Sequence, residues 1–242
     1  MMPASAGTRA PSLLFTCEHG GHEVPGEFAG WFAEGQAVLS SHRGWDAGAL
    51  PLARSLASWW NAPLEYATVT RLLVDLNRSP HNPRVWSEFS KRADPSVRAG
   101  LLERYHRPYR ERVMRRIADL STGGSFVLHV SVHTFTPELN GAERSTDVGV
   151  LFDPRRAAER SLAADWLGGL RSGLPHLTVH RNQPYRGRAD GFTSALRRIF
   201  PDDVYAGVEL EVNQKHLGTD GTFPAALREM MRDALSMVRL CP

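Results

Sequence analysis

Four short apolar runs in this chain end in polar side chains that are costly to bury without a partner. Leu13-Leu14-Phe15-Thr16-Cys17 leads into Glu18-His19-Gly20-Gly21-His22, and Leu72-Leu73-Val74 leads into Asp75-Leu76-Asn77-Arg78. The run from Phe126 to Val132 leads into His133-Thr134-Phe135, and Val204-Tyr205-Ala206-Gly207-Val208 leads into Glu209-Leu210-Glu211. Between such runs lie longer stretches whose apolar residues recur at helical spacing. Strands alternating with helices predict an α/β chain whose sheet is covered on both faces. In open α/β sheets ligands bind beyond the carboxyl ends of the strands. The four polar ends are therefore expected to meet at one crevice.

The spacing predicts strands over 13–17, 126–132, 148–152, 177–180 and 204–211, with 63–69 and 72–75 also strand-like. Helices are expected over 46–60, 94–120, 154–171, 191–199 and 223–238, and a loop over 79–83. At 242 residues the chain fits one core. We expect a flexible tail over 1–11 and a single domain over 12–242. Lys and Arg, 29 in all, are scattered among 26 Asp and Glu. No basic run is interleaved with aromatics, so nucleic acid is not an expected partner. The excess is mostly Arg, which favours a small anionic ligand. Two cysteines make neither a disulfide framework nor a cysteine-based zinc site, and Cys17 reads as a buried thiol. No apolar stretch approaches about 18 residues, so no membrane partner is expected. Met1 to Ala10 lacks the apolar core of a signal peptide, which points to the cytoplasm. Nothing in the sequence indicates the oligomeric state.

The polar ends carry the candidate chemistry. His19 follows an apolar strand, and Gly20-Gly21 lets the backbone bring its imidazole close to a ligand. His22 is either a second ligand or a loop histidine. Val127, His129, Ser131 and His133 share one side of a strand, with His133 the expected ligand and His129 its support. Asp46, in Gly44-Trp45-Asp46-Ala47-Gly48-Ala49, is either a helix N-cap or a carboxylate ligand. Glu209 and Glu211 share a strand face, and either can serve as a general base beside a metal. Arg71, Arg144, Arg186 and Arg188 read mostly as surface charge. Arg78 differs, because Asn77-Arg78 follows an apolar strand and a guanidinium suits bidentate capture of a carboxylate. Two imidazoles, a carboxylate and a guanidinium are the parts of a one-zinc hydrolase.

These residues sit in an ordered series of short motifs. They are Cys17-Glu18-His19-Gly20-Gly21 with Val24-Pro25, Trp45-Asp46-Ala47-Gly48-Ala49, and Arg71-Leu72-Leu73-Val74-Asp75-Leu76-Asn77-Arg78. Tyr105-His106-Arg107-Pro108-Tyr109, His133-Thr134-Phe135-Thr136-Pro137 and Asp147-Val148-Gly149-Val150-Leu151 follow, then Asn182-Gln183-Pro184-Tyr185 and Glu211-Val212-Asn213-Gln214. In this order, over roughly Leu13 to Leu217, the chain resembles the N-formylglutamate amidohydrolase family, in particular its predicted-amidohydrolase branch. That family is similar in fold to zinc-dependent exopeptidases and carboxypeptidases. The resemblance implies a three-layer αβα sandwich with a mixed, mainly parallel sheet. It implies one Zn2+ on His19, His133 and a third ligand, Asp46 by preference, with Glu211 as the base for a metal-activated water. It also implies that Asn77 and Arg78 hold the substrate carboxylate, with Arg144 or Arg186 as a further anionic contact. Where carboxypeptidase-like enzymes carry Glu three residues after the first His, this chain has His22, so Asp46 and His22 both stand as third ligand. Glu-His-Gly-Gly also stands where the better-known formylglutamate enzymes have Pro-His-Ser-Gly. The implied activity is cleavage of the amide bond of an N-acyl amino acid or a related small amide. A zinc peptidase or cell-wall-type amidase is the alternative of the same chemistry, and a non-catalytic binding protein the alternative of another class.

Overall fold

The computed structural model describes residues 11–238. The expected tail lies, apart from Pro11, outside the described residues. Six strands form one sheet: β1 (Ser12–Cys17), β2 (Leu64–Tyr66), β3 (Val127–Phe135), β6 (Val148–Leu151), β7 (Val179–Arg181) and β8 (Tyr205–Asn213). Their order is β2-β1-β3-β8-β6-β7, and a separate hairpin pairs β4 (Glu138–Leu139) with β5 (Ala142–Glu143). Strands β2, β1, β3 and β8 are parallel. Strand β6 runs antiparallel to β8, and β7 parallel to β6. The mixed, mainly parallel sheet is the one expected. The helices are α1 (Gln36–Leu39), α2 (Ala49–Trp59), α3 (Pro95–Leu101), α4 (Arg107–Leu120), α5 (Ala157–Gly173), α6 (Phe192–Leu196) and α7 (Ala225–Ser236).

Period-2 alternation divides the strands into two unlike faces. One face is apolar along its length. Phe15 and Cys17 of β1, Leu128, Val130 and Val132 of β3, and Val208, Leu210 and Val212 of β8 pack there with α2, α5 and α7. Each such side chain, fully buried, contributes roughly 1.5–3 kcal/mol. The other face starts apolar, with Leu14, Val127 and Tyr205 under Tyr109, Val113 and Ile117 of α4 and Phe192 and Leu196 of α6. Toward the carboxyl ends it turns polar. In register, Ser131 lies opposite Glu209 and His133 opposite Glu211. Burial on the first face thus carries the fold, while the second face supplies a row of polar groups at the sheet's carboxyl edge.

Several elements differ from expectation. Residues 72–75 are not a strand. Leu72, Leu73 and Val74 are buried between helical and loop residues rather than in the sheet, in a turn where Leu73 N bonds Thr70 O and Asp75 N bonds Val85 O. A short apolar run has no periodicity that separates a strand from a buried loop. The loop is braced from outside. The helical stretch over 95–120 contains a π turn at Leu102–His106, beside Pro108, which has no N–H to give. His106 Nε2 from that turn bonds Arg78 O at 2.8 Å, and Arg110 Nη1 donates to Leu76 O and Arg78 O. Asp46 is not the N-cap of α2: Gly48 holds that position. Strand β3 continues past Val132 through Phe135, so His133 lies within it. Neither Gly20 nor Gly21 has positive φ; they are needed for close approach, since a Cβ on Gly21 would lie 2.6 Å from Thr68 O and one on Gly20 2.9 Å from Ala67 O. Cys17 is buried, as expected.

Candidate functional site

His19 stands just past the end of β1, in the loop closed against Ala67 and Thr68. Asp46 is brought to it by the chain entering α2, and its backbone N–H bonds His19 O at 2.9 Å. His133 comes from the neighbouring β3. All three are buried, at 1%, 4% and 3% exposure. One ligand atom from each lies within 4.8 Å of the others, so this group could hold a metal ion. His22 is not part of it; its ring is exposed and packs on Trp45 at 4.9 Å between centroids.

The hydrogen bonds on the far side of each imidazole decide what the near side offers. His19 Nε2 lies 2.8 Å from Asp75 Oδ1. A carboxylate only accepts, so that proton belongs to Nε2. Ser131 Oγ donates to Glu18 Oε2 at 2.6 Å and lies 2.9 Å from His133 Nε2, with Glu18 Oε2 3.3 Å from the same nitrogen. Ser131 has spent its proton, so His133 Nε2 carries one too. Both Nδ1 atoms then present lone pairs inward. They face Asp46 Oδ2 at 3.4 Å from His19 and 2.8 Å from His133. Three acceptors pointed at one another require a positive charge between them. A proton can serve, and so can a divalent cation, for which imidazole nitrogen and carboxylate oxygen are ordinary ligands. Carboxylates behind both histidines are the usual support of such ligands. The residues present fit a metal ion.

Electrostatics follows this geometry. Burial would raise the Asp46 carboxyl, but the His19 and His133 imidazoles beside it and the Arg71 guanidinium hold it well below the carboxylate range. Glu18 is likewise depressed against burial, by His133 and Ser131, and also accepts from Tyr109 OH of α4 at 2.9 Å. Burial opposes the charged form of His133, yet its bonds to Asp46 and Glu18 push it well above the usual imidazole range. A cation held by the three residues would compete with that proton.

A cavity of about 450 Å³ opens over the cluster, lined by His19, Asp46, Asn77, Arg78, His133, Arg186, Glu209 and Glu211 among others. Glu211 is 5% exposed, and its Oε2 has no hydrogen-bond partner among the described residues. Burial, the largest effect, raises its carboxyl to about 8. Glu209 differs in having its Oε1 bound by Thr193 Oγ1 at 2.5 Å. Arg78 donates through Nη1 to Asp190 O, and its Nε lies 3.9 Å from Asp75 Oδ2. Asn77 Oδ1 accepts from Phe192 N at 2.6 Å, which ties this loop to α6. Arg186 is exposed at the cavity wall. Arg144 does not line it; its guanidinium lies over the Phe135 and Tyr185 rings and donates to Tyr185 OH at 3.1 Å.

Sequence reasoning missed the supporting groups. Arg71, read as surface charge, bridges Asp46 Oδ1 at 3.3 Å and Asp75 Oδ2 at 3.0 Å. Asp75, Glu18 and Tyr109 lay inside the quoted motifs without a role; the available signal was an acid buried at the end of an apolar run. His129 has no place in the cluster. It lies between Thr16 Oγ1 and Tyr205 OH, both at 2.8 Å, and burial lowers it to about 4 and keeps it neutral.

Comparison with known proteins bears on the family and the fold. A family model described as N-formylglutamate amidohydrolase matches residues 11–217. The crystal structure of a gene product from Agrobacterium tumefaciens is similar, with 30% identity and a TM-score of 0.78 over 93% of this chain and 91% of that one. The structure of N-formylglutamate amidohydrolase from Ralstonia eutropha JMP134 has a TM-score of 0.63 at 17% identity, over 96% of this chain and 92% of that one. The second likeness concerns the fold. A search of curated proteins by sequence gives no match.

Proposed function

Because the chain belongs to the N-formylglutamate amidohydrolase family, hydrolases of an amide bond, we propose that it uses one zinc ion on His19, Asp46 and His133 to cleave a small anionic N-acyl amino acid. The observation that carries this reading is the convergence of two imidazole lone pairs and a carboxylate beneath a cavity that also holds an unpartnered carboxyl, Glu211. A divalent ion bound there supplies Lewis acidity, polarising a carbonyl and acidifying water.

The chain's own residues do the rest. Burial alone keeps Glu211 protonated, but a cation on the neighbouring ligands would favour its ionised form. As a carboxylate, Glu211 receives a proton from the attacking water as the new C–O bond forms. It returns that proton to the amide nitrogen as the C–N bond breaks, leaving a carboxylate and a free amine. Glu211 suits this role better than Glu209, whose oxygen is already engaged by Thr193. Arg78, braced through its main chain by His106 and Arg110, holds the substrate carboxylate with Asn77 and so fixes the scissile bond over the cluster. Arg186 is placed for a further anionic contact at the cavity wall, with Arg144 supporting Tyr185 behind it.

The test is a panel of N-acyl amino acids assayed for amine release with zinc-loaded protein, each acid paired with its C-terminal amide. We expect the acid to be preferred. Loss of a charged hydrogen bond costs on the order of 1.5–3 kcal/mol, so Arg78→Ala should lower kcat/KM by about 10–150-fold, and Arg78→Lys should restore only part. Turnover of no panel member refutes the activity. Equal rates for acid and amide refute carboxylate recognition by Arg78.

A further inference from the structure

A second concavity, of about 510 Å³, lies behind the loop that walls the catalytic cavity. Arg155, Arg156, Arg188, Arg197 and Arg198 line it, with Asp153 as the one acidic side chain in its wall. Three of these arginines are engaged. Arg155 pairs with Asp153 at 2.7 Å, a contact that holds the Asp153 carboxyl down at about 2. Arg156 is held by Asp202 and by the carbonyls of Arg197, Phe200 and Tyr205. Arg197 is spent on the buried Glu159, at 2.8 Å, and on the carbonyls of Gly187 and Gly207. Arg188 and Arg198 are exposed and, among the described residues, have neither an acidic partner nor a hydrogen-bond acceptor for their guanidinium groups.

Like charges gathered in one concavity repel, and an oxyanion between them removes the repulsion. Guanidinium forks match phosphate and carboxylate geometry. We propose that this concavity is an oxyanion-binding site, with Arg188 and Arg198 as its free donors and, as its rigid floor, Arg156 and Arg197 joined through Glu159 Oε1, 3.4 Å from Arg156 Nε and 2.8 Å from Arg197 Nε. The site is separate from the catalytic cavity but shares a wall with it. In the segment 186–191, Arg186, Ala189, Asp190 and Gly191 face the catalytic cavity, while Arg188 faces this one. Arg197 also holds that segment, through Gly187 O at 2.5 Å. An anion seated on Arg188 therefore braces the loop that carries Arg186 and Asp190.

The test is a titration of the full-length protein with inorganic phosphate, and in parallel with succinate, followed by backbone amide NMR at fixed ionic strength against chloride. Saturable shifts centred on Gly187, Arg188 and Ser194 are expected with one of the two oxyanions, and the better ligand tells phosphate from carboxylate. Arg188→Ala with Arg198→Ala should weaken that binding by at least about 10-fold. Arg78→Ala should leave it in place, which separates this site from the catalytic one whatever the enzyme cleaves. Shifts no larger than those of chloride overturn the proposal. So do undiminished affinity in the double variant and loss of binding in Arg78→Ala. Both substituted arginines are exposed, and an unchanged melting temperature will confirm that the double variant folds.

Discussion

Asp75→Asn is the most informative single substitution at this site, because it changes one atom of a group that never touches the cavity's contents directly. Asp75 Oδ1 receives His19 Nε2 at 2.8 Å and Asn77 N at 3.0 Å, while Oδ2 receives Arg71 Nη2 at 3.0 Å. Every neighbour is a donor. An asparagine must turn its NH2 toward one side or the other. Turned to Arg71, it sets donor against donor and frees Arg71 from one of its two carboxylates. Turned to His19, it takes the place of the acceptor, and the imidazole proton moves to Nδ1, where it blocks the lone pair a metal would use. Either way the ligand set loses its preparation. Support of this kind is worth about 10–100-fold in metal affinity, or roughly 1.4–2.7 kcal/mol. The assay is competition for zinc against a chromophoric chelator, with the cobalt-substituted visible spectrum as a check on ligand geometry. Glu18→Gln, which disturbs His133 in the same manner, should show a similar loss. Wild-type zinc affinity and an unchanged cobalt spectrum in Asp75→Asn would refute the reasoning. They would show that His19 does not depend on Asp75 for its tautomer.

Three further outcomes are expected. Glu211→Gln should keep zinc binding and lose about 10²–10⁴-fold in kcat, whereas Glu209→Gln should retain more; the reverse order in steady-state kinetics would move the base to Glu209. Gly149→Ala should destabilise the fold by about 1–3 kcal/mol through overpacking, since its Cβ would lie 2.0 Å from Gln183 O, and a urea midpoint equal to wild type would count against that contact. The Glu211 carboxyl, raised by burial from 4.5 to about 8, stays protonated in the metal-free fold where the unfolded chain has released its proton. Metal-free stability should therefore fall as pH rises from about 4.5 to about 8, and Glu211→Gln should flatten that limb. Parallel melting curves for the two proteins across this window would argue that Glu211 is not buried as described.

How much was legible follows from which physical signals a sequence carries. Alternation along β3 and β8 is a period-2 signal. It puts His133 with Val127, His129 and Ser131 on one side of its strand, and Glu209 with Glu211 on one side of theirs, but only the register shows that these sides share a face. A sheet covered on both faces was readable because apolar runs alternate with helical spacing, whereas its mixed strand directions were implied only by the family resemblance. The turn at Leu72–Asp75 was not, because its apolar side chains serve loop packing and a run of three has no period. The consequence is specific. Arg78 was picked out because a strand seemed to aim it, yet what aims it is a loop held from α4 and the π turn. Asp46 could not be told from an N-cap by spacing alone; only the bond from its backbone to His19 O and the Gly48 cap separate the two roles. Arg71, Glu18 and Asp75 were hidden for a related reason. Each acts on a partner far away in sequence, Asp75 on His19, Arg71 on Asp46 and Glu18 on His133.

Those hidden residues explain why the site is both buried and charged. Glu18, Asp46 and Asp75 are 1%, 4% and 4% exposed, and among the described residues the one guanidinium bonded to two of them is Arg71. With neutral imidazoles, three carboxylates against Arg71 leave about two uncompensated negative charges in a region shielded from water. Arg78, at 3.9 Å from Asp75, offsets this only in part. Uncompensated buried charge is strongly destabilising. The fold has two remedies, protons on the histidines or a divalent cation among them. The raised proton affinity of His133 favours the first remedy. A cation must displace that proton, so metal affinity should rise with pH until the imidazoles are neutral. The outer carboxylates thus have two effects that cannot be separated. They orient each imidazole lone pair inward, and they supply negative charge that would favour a cation among the three ligand atoms.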